Sequence, residues 1–227
     1  MSLSRYKTDC LFLPVGTNPL PNYVSSLLLV NEGGKVILLH SRGTGVFAKN
    51  IEKAIRDKKV PVAIEMWEID EADGVRIIQK LKKEILPSLN APSSVGLNYT
   101  GGTKSMAVHA YRALENYAYE KEIPAVFSYL DARTLSIIFI LSDGSLSKRE
   151  PVREKVKISV EELLALHGYS QMGGDEARVG LVCCSDDPLL VQREVEEDWF
   201  AEGRVRVFGR KDLVDLPEKL RNWFEST

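Results

Sequence analysis

The sequence has little cysteine, little histidine and no long apolar run. Its three cysteines are an odd number, and two of them are the neighbours Cys183 and Cys184, which favours reduced thiols over a disulfide framework. Neither His109 nor His167 has a second histidine or a carboxylate at ligand spacing, so we expect no metal site. No apolar stretch reaches the roughly 18 residues that cross a bilayer, and no secretory leader is recognisable at the N-terminus. We therefore expect a cytoplasmic protein with no membrane segment.

Neither sign of charge dominates the chain. Its 30 lysines and arginines against 32 aspartates and glutamates give a net charge of −2. Such a chain has no overall field that would draw it onto a nucleic acid polymer, so an anionic ligand has to be held by a local group of residues. With 44% hydrophobic residues, the 227 residues suffice for one large α/β domain, or for an average domain with a smaller appendage.

What the first two thirds of the chain do contain is an alternation of apolar strand-like runs with helical patterns. Several of these runs are continuously apolar, as expected when helices cover both faces of a sheet. We therefore predict an α/β fold with a doubly wound, mostly parallel, Rossmann-like sheet. The predicted strands are Cys10–Val15, Lys35–His40, Val62–Ile69, Ser94–Tyr99, Ala125–Asp131 and Ser136–Leu141, and the predicted helices are Tyr23–Val30, Phe47–Lys58, Glu71–Ile85 and Thr103–Glu120. Because only residues 132–135 separate the last two strands, they are predicted to form an antiparallel hairpin at one edge.

The character of the sequence changes near Ser142, where we predict a domain boundary. Residues 1–146 form the predicted ligand-binding domain, residues 147–174 a charged connector with a short helix, and residues 175–227 a small α/β appendage. The appendage is small for an independent domain, so we expect it to dock on the first domain or on a partner chain. The predicted elements of this half are the helices Val160–His167, Leu189–Ala201 and Leu213–Phe224 and the strands Arg178–Cys184 and Arg204–Phe208.

The segment Asn98-Tyr99-Thr100-Gly101-Gly102-Thr103-Lys104 has the composition of a phosphate cradle. It lies where a strand is predicted to end and a helix to begin, so its glycines allow close approach to a ligand while the first N–H groups of the helix point at an anion. The two threonine hydroxyls and the Lys104 ammonium add further donors. The alternative interpretation is an N-capped helix behind a glycine turn. The segment is not a P-loop, because Gly102 and Thr103 separate Gly101 from Lys104.

Two further loops should meet this segment, because ligands of open parallel sheets bind at the carboxyl ends of the strands. These loops are 16–22 after the first strand and 41–45 after the second, and both are rich in glycine, hydroxyl and amide groups. With Arg42 and Lys104 nearby, this rim suits a polyanion whose ribose hydroxyls and base edges can be recognised. His40 ends the second strand and is a candidate for acid–base chemistry, with a structural histidine as the alternative.

Two other sequence patterns near the rim are weaker evidence for function. The run Gly43-x-Gly45-x-x-Ala48 matches a dinucleotide fingerprint by letter, with Glu65 or Glu68 as the ribose ligand. It follows the second strand instead of the first, so a nicotinamide or flavin enzyme is disfavoured. The acidic residues of the segment 70–73 are expected to cap the third helix and to favour its N-terminal dipole, rather than to form a catalytic pair.

The run Gly16-Thr17-Asn18-Pro19, together with Asn98 to Met106, resembles the CARF domain, the CRISPR-associated Rossmann fold. The similar proteins are type III CRISPR accessory nucleases in which a CARF domain precedes a restriction-endonuclease-like domain, and residues 159–169 resemble their connector. The resemblance implies a homodimer that binds a cyclic oligoadenylate, most often the tetra-adenylate, across its two-fold axis. By motif position it carries over Thr17, Asn18, Gly101, Gly102, Thr103 and Lys104, while Ser41 and Arg42 are added by geometry alone. The full predicted ligand-binding set is Gly16, Thr17, Asn18, Ser41, Arg42, Asn98, Thr100, Gly101, Gly102, Thr103 and Lys104.

The C-terminal part departs from this resemblance. Family nucleases hold a divalent metal with an Asp followed by Glu-x-Lys, and no convincing pattern of that kind follows Gly173. We therefore expect a sensor that needs no cofactor and passes the binding event to an effector protein through residues 175–227. A first alternative is a metal-independent ring nuclease, in which a ribose 2′-hydroxyl attacks the adjacent phosphate and Lys104, Thr103 and Ser41 assist. A second alternative is a metal-dependent nuclease activated by the same ligand.

Overall fold

The computed structural model describes residues 3–131, 136–140, 148–151, 179–182 and 205–225. Nine strands lie in these ranges: β1 (Thr8–Val15), β2 (Val30–His40), β3 (Ala63–Glu68), β4 (Val95–Asn98), β5 (Ala125–Asp131), β6 (Ser136–Ile140), β7 (Lys148–Pro151), β8 (Val179–Val182) and β9 (Val205–Phe208). The α-helices of the described residues are α1 (Leu20–Leu28), α2 (Gly45–Asp57), α3 (Gly74–Lys80), α4 (Lys104–Lys121) and α5 (Leu216–Glu225).

The first seven strands form one sheet in the order β3-β2-β1-β4-β5-β6-β7. Strands β1 to β5 run parallel, whereas β6 is antiparallel to β5 and β7 is antiparallel to β6. The predicted α/β, doubly wound, mostly parallel fold is confirmed. Because the order reverses between β1 and β4, the carboxyl ends of these two strands flank the point at which such sheets bind ligands.

The predicted antiparallel hairpin is confirmed as β5–β6, and a further strand that was not predicted lies beside it. Strand β6 is not the edge of the sheet, because Lys148–Pro151 pairs with it as a seventh strand. The sequence KREP was predicted to be part of the connector, since it is charged. Charge and proline are also what edge strands carry, because both discourage pairing with another chain.

The core lies on both faces of the sheet. Along β1, Leu11, Leu13 and Val15 pack on the side of α1 and α2, while Cys10 and Phe12 pack on the side of α3 and α4. Side chains alternate between the faces of a strand, so a strand buried on both faces reads as one apolar run. Burial raises the pKa of the Cys10 thiol to about 11, in keeping with a reduced thiol.

Several helix boundaries differ from those predicted, and two of the differences have a clear local cause. Helix α1 begins at Leu20 instead of Tyr23, because a proline in the first turn lacks only an N–H that would have had no helical partner. The predicted helix Glu71–Ile85 begins only at Gly74, where Asp73 caps it, and its second half, Leu81–Ile85, is a π-helix. Among the described residues, no helix is both long and apolar enough to cross a membrane.

A second compact unit contains β8, β9 and α5. Strands β8 and β9 pair in parallel, and the rings of Phe208 and Trp223 lie 6.2 Å apart between their centroids. Both predicted strands of the appendage and its last helix are present. The predicted helices Val160–His167 and Leu189–Ala201 lie outside the described residues, and the three-part division at 146 and 174 stays a prediction.

Candidate ligand-binding site

The glycine turn after β4 packs directly against the end of β1. A Cβ atom on Gly101 would lie 2.3 Å from the Pro14 carbonyl oxygen, and one on Gly16 would lie 3.0 Å from the Gly102 nitrogen. Gly102 also has a φ of +73°, which residues with a side chain rarely adopt. The two loops therefore touch through backbone atoms, and the glycines are required for that approach. The predicted meeting of loop 16–22 with the glycine turn is what the geometry gives.

Asn22 joins these two loops, and sequence reasoning missed it as a site residue. Its side chain is fully buried in the first turn of α1, and its Nδ2 donates to the Pro14 carbonyl oxygen over 2.8 Å. Its Oδ1 has no hydrogen-bond partner in the described part of the chain. A Cβ on Gly101 would lie 2.7 Å from that oxygen. The one available signal was that an amide ends the loop 16–22 beside a helix start.

Asn98 and Thr100 form the internal support of the turn. The Thr100 hydroxyl donates to Asn98 Oδ1 over 2.6 Å and accepts from the Leu130 N–H, also over 2.6 Å. Asn98 is fully buried, and its Nδ2 donates to the Ser128 hydroxyl over 3.1 Å. These polar atoms are engaged within the protein, so the geometry gives both residues a supporting position. Their direct contact with ligand stays a prediction.

Tyr99 anchors the same turn on the other face of the sheet. Its ring packs against Tyr111 and Tyr129, with centroids 6.5 Å and 5.7 Å away. Burial raises the pKa of the Tyr99 hydroxyl to about 12, and the neighbouring tyrosines add to the effect. This residue therefore stays a neutral phenol at physiological pH and contributes packing beneath the turn.

The N-terminus of α4 combines a cap, a cation and unpaired N–H groups. Thr103 caps the helix by accepting from the Met106 N–H over 3.1 Å. The Lys104 side chain is exposed and makes no ion pair in the part of the chain that the structure describes. The N–H groups of Lys104 and Ser105 are helix-start donors that lack an intrahelical acceptor. Helix starts of this kind attract anions.

A fourth loop, between β3 and α3, is tied to the same helix start. The Thr103 hydroxyl donates to the Glu71 carbonyl oxygen over 2.5 Å, and the Ser105 hydroxyl donates to the Ala72 carbonyl oxygen over 2.8 Å. The hydroxyl of Thr103 thus makes two hydrogen bonds within the protein. The sequence predicted only a helix cap for this loop, because contacts of backbone carbonyls leave no signal in the sequence.

The capping function predicted for this loop is confirmed for Asp73, whereas Asp70 accepts within the loop that precedes the helix. Asp73 Oδ1 accepts from the N–H groups of Val75 and Arg76. Asp70 Oδ1 accepts from Ala72 and Asp73, and hydrogen bonds from these backbone N–H groups, that of Asp73 foremost, lower the pKa of its carboxyl.

The loop after β2 forms a closed turn with an exposed arginine. Ser41 is buried, its N–H donates to the Thr44 hydroxyl over 3.0 Å, and the two hydroxyls lie 3.3 Å apart. Arg42 is exposed and has no partner among the described residues. His40 Nδ1 lies 3.0 Å from the Ser41 carbonyl oxygen, which supports its structural interpretation.

A cleft of about 780 Å³ opens between this loop and the β3–α3 loop. Its residues are Ser41, Arg42, Gly43, Glu68, Ile69, Asp70, Glu71, Ala72, Arg76 and Lys80. The two loops leave neighbouring parallel strands, since His40 pairs with Glu68 and the Ile69 N–H donates to the His40 carbonyl oxygen. The cleft therefore adjoins the helix start of α4 through residues 71–72.

The other residues predicted from the sequence as ligand contacts differ in exposure and in hydrogen bonding. Thr17 and Asn18 are exposed on the β1–α1 loop, and Asn18 Oδ1 accepts from the Leu20 N–H over 3.2 Å. Glu65, the candidate ribose ligand of the dinucleotide reading, is paired with Lys35 at 2.5 Å and accepts from the Trp67 ring N–H. Among the described residues, no group of three or more His, Cys, Asp or Glu side chains could hold a metal ion.

The fold is that of a Rossmann-like α/β protein, and the rim places a glycine turn, a helix start and Lys104 at the switch point of its sheet. The sheet superposes on Can2 from Sulfobacillus thermosulfidooxidans, solved in complex with cyclic tetra-adenylate, with a TM-score of 0.55 at 22% identity over 73% of this chain and 41% of that protein. It also superposes on protein VC1899 from Vibrio cholerae, with a TM-score of 0.54 at 12% identity over 69% of this chain and 39% of that one. The aligned part is thus about two fifths of each solved protein, and the likeness establishes the fold. No protein-family description matches the chain, and no curated protein matches it in sequence.

Proposed function

We propose that this protein is a CARF-type sensor that binds a cyclic oligoadenylate, with the tetra-adenylate as the preferred ring, in type III CRISPR signalling in the cytoplasm. The observation that carries the proposal is the contact of Gly16 and Gly101–Gly102 beside the unpaired ammonium of Lys104 at a helix start. The ligand of Can2, a protein of similar fold, is a cyclic tetra-adenylate. The motif resemblance in residues 16–19 and 98–106 points to the same ligand class.

A two-fold dimer follows from the shape of this ligand. A ring with repeating phosphates and bases can be held by two identical rims related by symmetry. Val75 and Val108 lie near the starts of α3 and α4 and are 65% and 56% exposed. Apolar side chains at that place suit a surface that a second copy covers. We expect sedimentation to give a dimer that binds one ring per two chains. A monomer that binds one ring per chain would contradict this part of the proposal.

Calorimetry with cyclic tetra-adenylate tests binding. We expect the wild-type protein to bind at micromolar concentration or tighter, and Lys104→Ala to lose about tenfold or more in affinity, because a hydrogen bond to a charged group contributes about 1.5–3 kcal/mol. Lys121→Ala, which removes the same charge from the other end of the same helix, serves as the control. Absence of binding to both the tetra- and the hexa-adenylate would refute the proposed function.

The geometry favours holding the ring over cutting it. Of the three candidate catalytic residues, Thr103 and Ser41 have hydroxyls engaged in hydrogen bonds within the protein, and Lys104 alone presents an unpaired group. We therefore expect labelled cyclic tetra-adenylate to remain intact after hours with the protein in EDTA. Linear products with a 2′,3′-cyclic phosphate would instead establish a ring nuclease.

We further propose that residues 175–227 pass the binding event to an effector partner. The parallel pair β8–β9 with α5 is a separate compact unit in the chain, as a relay element requires. Cross-linking of the full chain in its host extract, with and without cyclic tetra-adenylate, tests this, and a partner captured equally in both conditions would argue against it.

A further inference from the structure

The cleft beside the glycine turn is chemically unlike the turn itself. The turn offers N–H groups and one ammonium, whereas the cleft of about 780 Å³ carries charges of both signs. A phosphate requires donors throughout its surroundings. The two neighbouring sites therefore suit different parts of one ligand.

Most charged groups of the cleft are already paired within the protein. Asp70 accepts from two backbone N–H groups and lies 3.7 Å from Arg76, which also pairs with Asp73 at 3.4 Å. Lys80 pairs with Glu84 at 2.5 Å and lies over the Trp67 ring. These pairs offset the charges of those groups within the protein.

Three charged groups of the cleft have no partner in the described ranges. Arg42 lies on one wall, while Glu68 and Glu71 lie on the wall formed by the end of β3 and the loop that follows. Two unpaired carboxylates repel a phosphate, but they accept hydrogen bonds from an amino group. A guanidinium donates to ring nitrogens and stacks on flat rings. Together they match a purine that carries an exocyclic amino group.

The position of the cleft agrees with this division. Glu71 and Ala72 form part of its wall, and their carbonyl oxygens accept from the hydroxyls of Thr103 and Ser105 on either side of Lys104. A nucleotide with its phosphate at the start of α4 can therefore place its base in the adjoining cleft.

We propose that this cleft is the base-recognition subsite, in which Glu68 and Glu71 accept hydrogen bonds from the amino group of an adenine whose ring contacts Arg42. The proposal rests on the proposed function and adds the group that distinguishes adenine from a purine without the amino group. The alternative occupant of the cleft is a second phosphate, and the two occupants predict opposite effects of removing the carboxylates.

The experiment is a cycle of protein and ligand changes. Calorimetry compares cyclic tetra-adenylate with the same ring built from purine riboside, which lacks the amino group, on wild-type protein and on the double variant Glu68→Ala/Glu71→Ala. The double variant Glu32→Ala/Glu115→Ala removes the same charge from exposed positions outside the cleft. Thermal unfolding of each variant verifies that it is folded.

We expect the cleft variant to bind the tetra-adenylate about tenfold or more weakly and the purine ring within about twofold of wild type, since a lost hydrogen bond to a carboxylate acts only on the ring with the amino group. Tighter binding of both rings would overturn the proposal, because a phosphate in the cleft gains from the removal of two negative charges. An equal loss of affinity for both rings would overturn it as well. In both cases, binding of the tetra-adenylate by the wild-type protein would leave the proposed function intact. If wild type binds neither ring, the proposed function and this inference both fail.

Discussion

Replacement of Asn22 tests whether the two loops of the rim act as one unit. In Asn22→Ala, the Pro14 carbonyl oxygen loses its donor at 2.8 Å inside a fully buried site. An unpaired buried acceptor costs about 1–3 kcal/mol, and removal of the unpaired Oδ1 offsets a part of this. A net loss near 2 kcal/mol corresponds to a fall in Tm of about 4–8 °C for a chain of this size.

The effect on binding should exceed the effect on stability. Without the amide, the Pro14 carbonyl that Gly101 contacts loses its side-chain donor, so the glycine turn can shift relative to the end of β1. We expect cyclic tetra-adenylate affinity to fall about tenfold or more, which corresponds to about 1.4 kcal/mol. Asn22→Asp should be worse in both respects near neutral pH, because a buried carboxylate would face a carbonyl oxygen with no donor.

Val24→Ala is the matched control for this perturbation. Val24 is 4% exposed on the same helix, and its truncation should cost a comparable free energy of unfolding, about 2 kcal/mol, away from the rim. Unfolding in urea and calorimetry on the same samples separate the two effects. Unchanged ligand affinity in folded Asn22→Ala, or an equal loss in Val24→Ala, would refute the reasoning.

Three further perturbations address the backbone, the helix cap and the opposite end of the sheet. Gly102→Ala should lower the free energy of unfolding by about 2–4 kcal/mol and abolish binding, because the new Cβ would lie 2.7 Å from the Pro14 Cβ. Gly33→Ala is the control: its φ is +77° but a Cβ there would have nothing within 4 Å, so it should cost only about 1 kcal/mol. Equal losses for the two variants in urea unfolding would contradict the contact with Pro14. Thr103→Val should lower the free energy of unfolding by about 1–2 kcal/mol because the helix loses its cap, and Thr103→Ser should retain most of that stability in thermal unfolding. Unchanged stability of Thr103→Val would show that the hydroxyl does not stabilise the helix. Hydrogen bonds from the side chains of Ser93 and Asn31 lower the pKa of the Asp9 carboxyl, so its contribution to the free energy of unfolding is present above the unfolded value of 3.8 and is lost as the pH falls through the folded value. Asp9→Asn should therefore reduce the loss of stability measured from about pH 6 to about pH 3. An unchanged pH dependence in this variant would show that other groups cause the loss.

The sequence predicted the sheet well because its strands are buried on both faces. Ala125–Asp131 was predicted to the residue, and the five parallel strands all appear within a few residues of their predicted ends, apart from the longer start of β2. Burial on two faces leaves a continuous apolar run that needs no tertiary information. The edge strand Lys148–Pro151 escaped because an edge is marked by charge and proline, which also mark loops.

The site was predictable as far as glycines and charges mark it. Gly101, Gly102 and Lys104 could be found from their place between a strand and a helix, because close approach and anion binding require those residue types. Asn22 could not, because its importance comes from a carbonyl eight positions earlier and a glycine on another loop. Such contacts are set by which strands become neighbours.

By itself, the sequence determined the α/β class, the order of most elements and the residue types of the candidate anion cradle, since burial pattern and residue type are local properties. Only the tertiary structure decided which loops meet, which threonine and serine hydroxyls are already engaged, and which charges of the rim remain unpaired. The cleft with Arg42, Glu68 and Glu71 is the clearest case, because its walls come from two loops that only the parallel pairing of β2 and β3 places side by side. The interaction free energy of two charged side chains depends on the distance between them, and for residues remote in the sequence the fold fixes that distance.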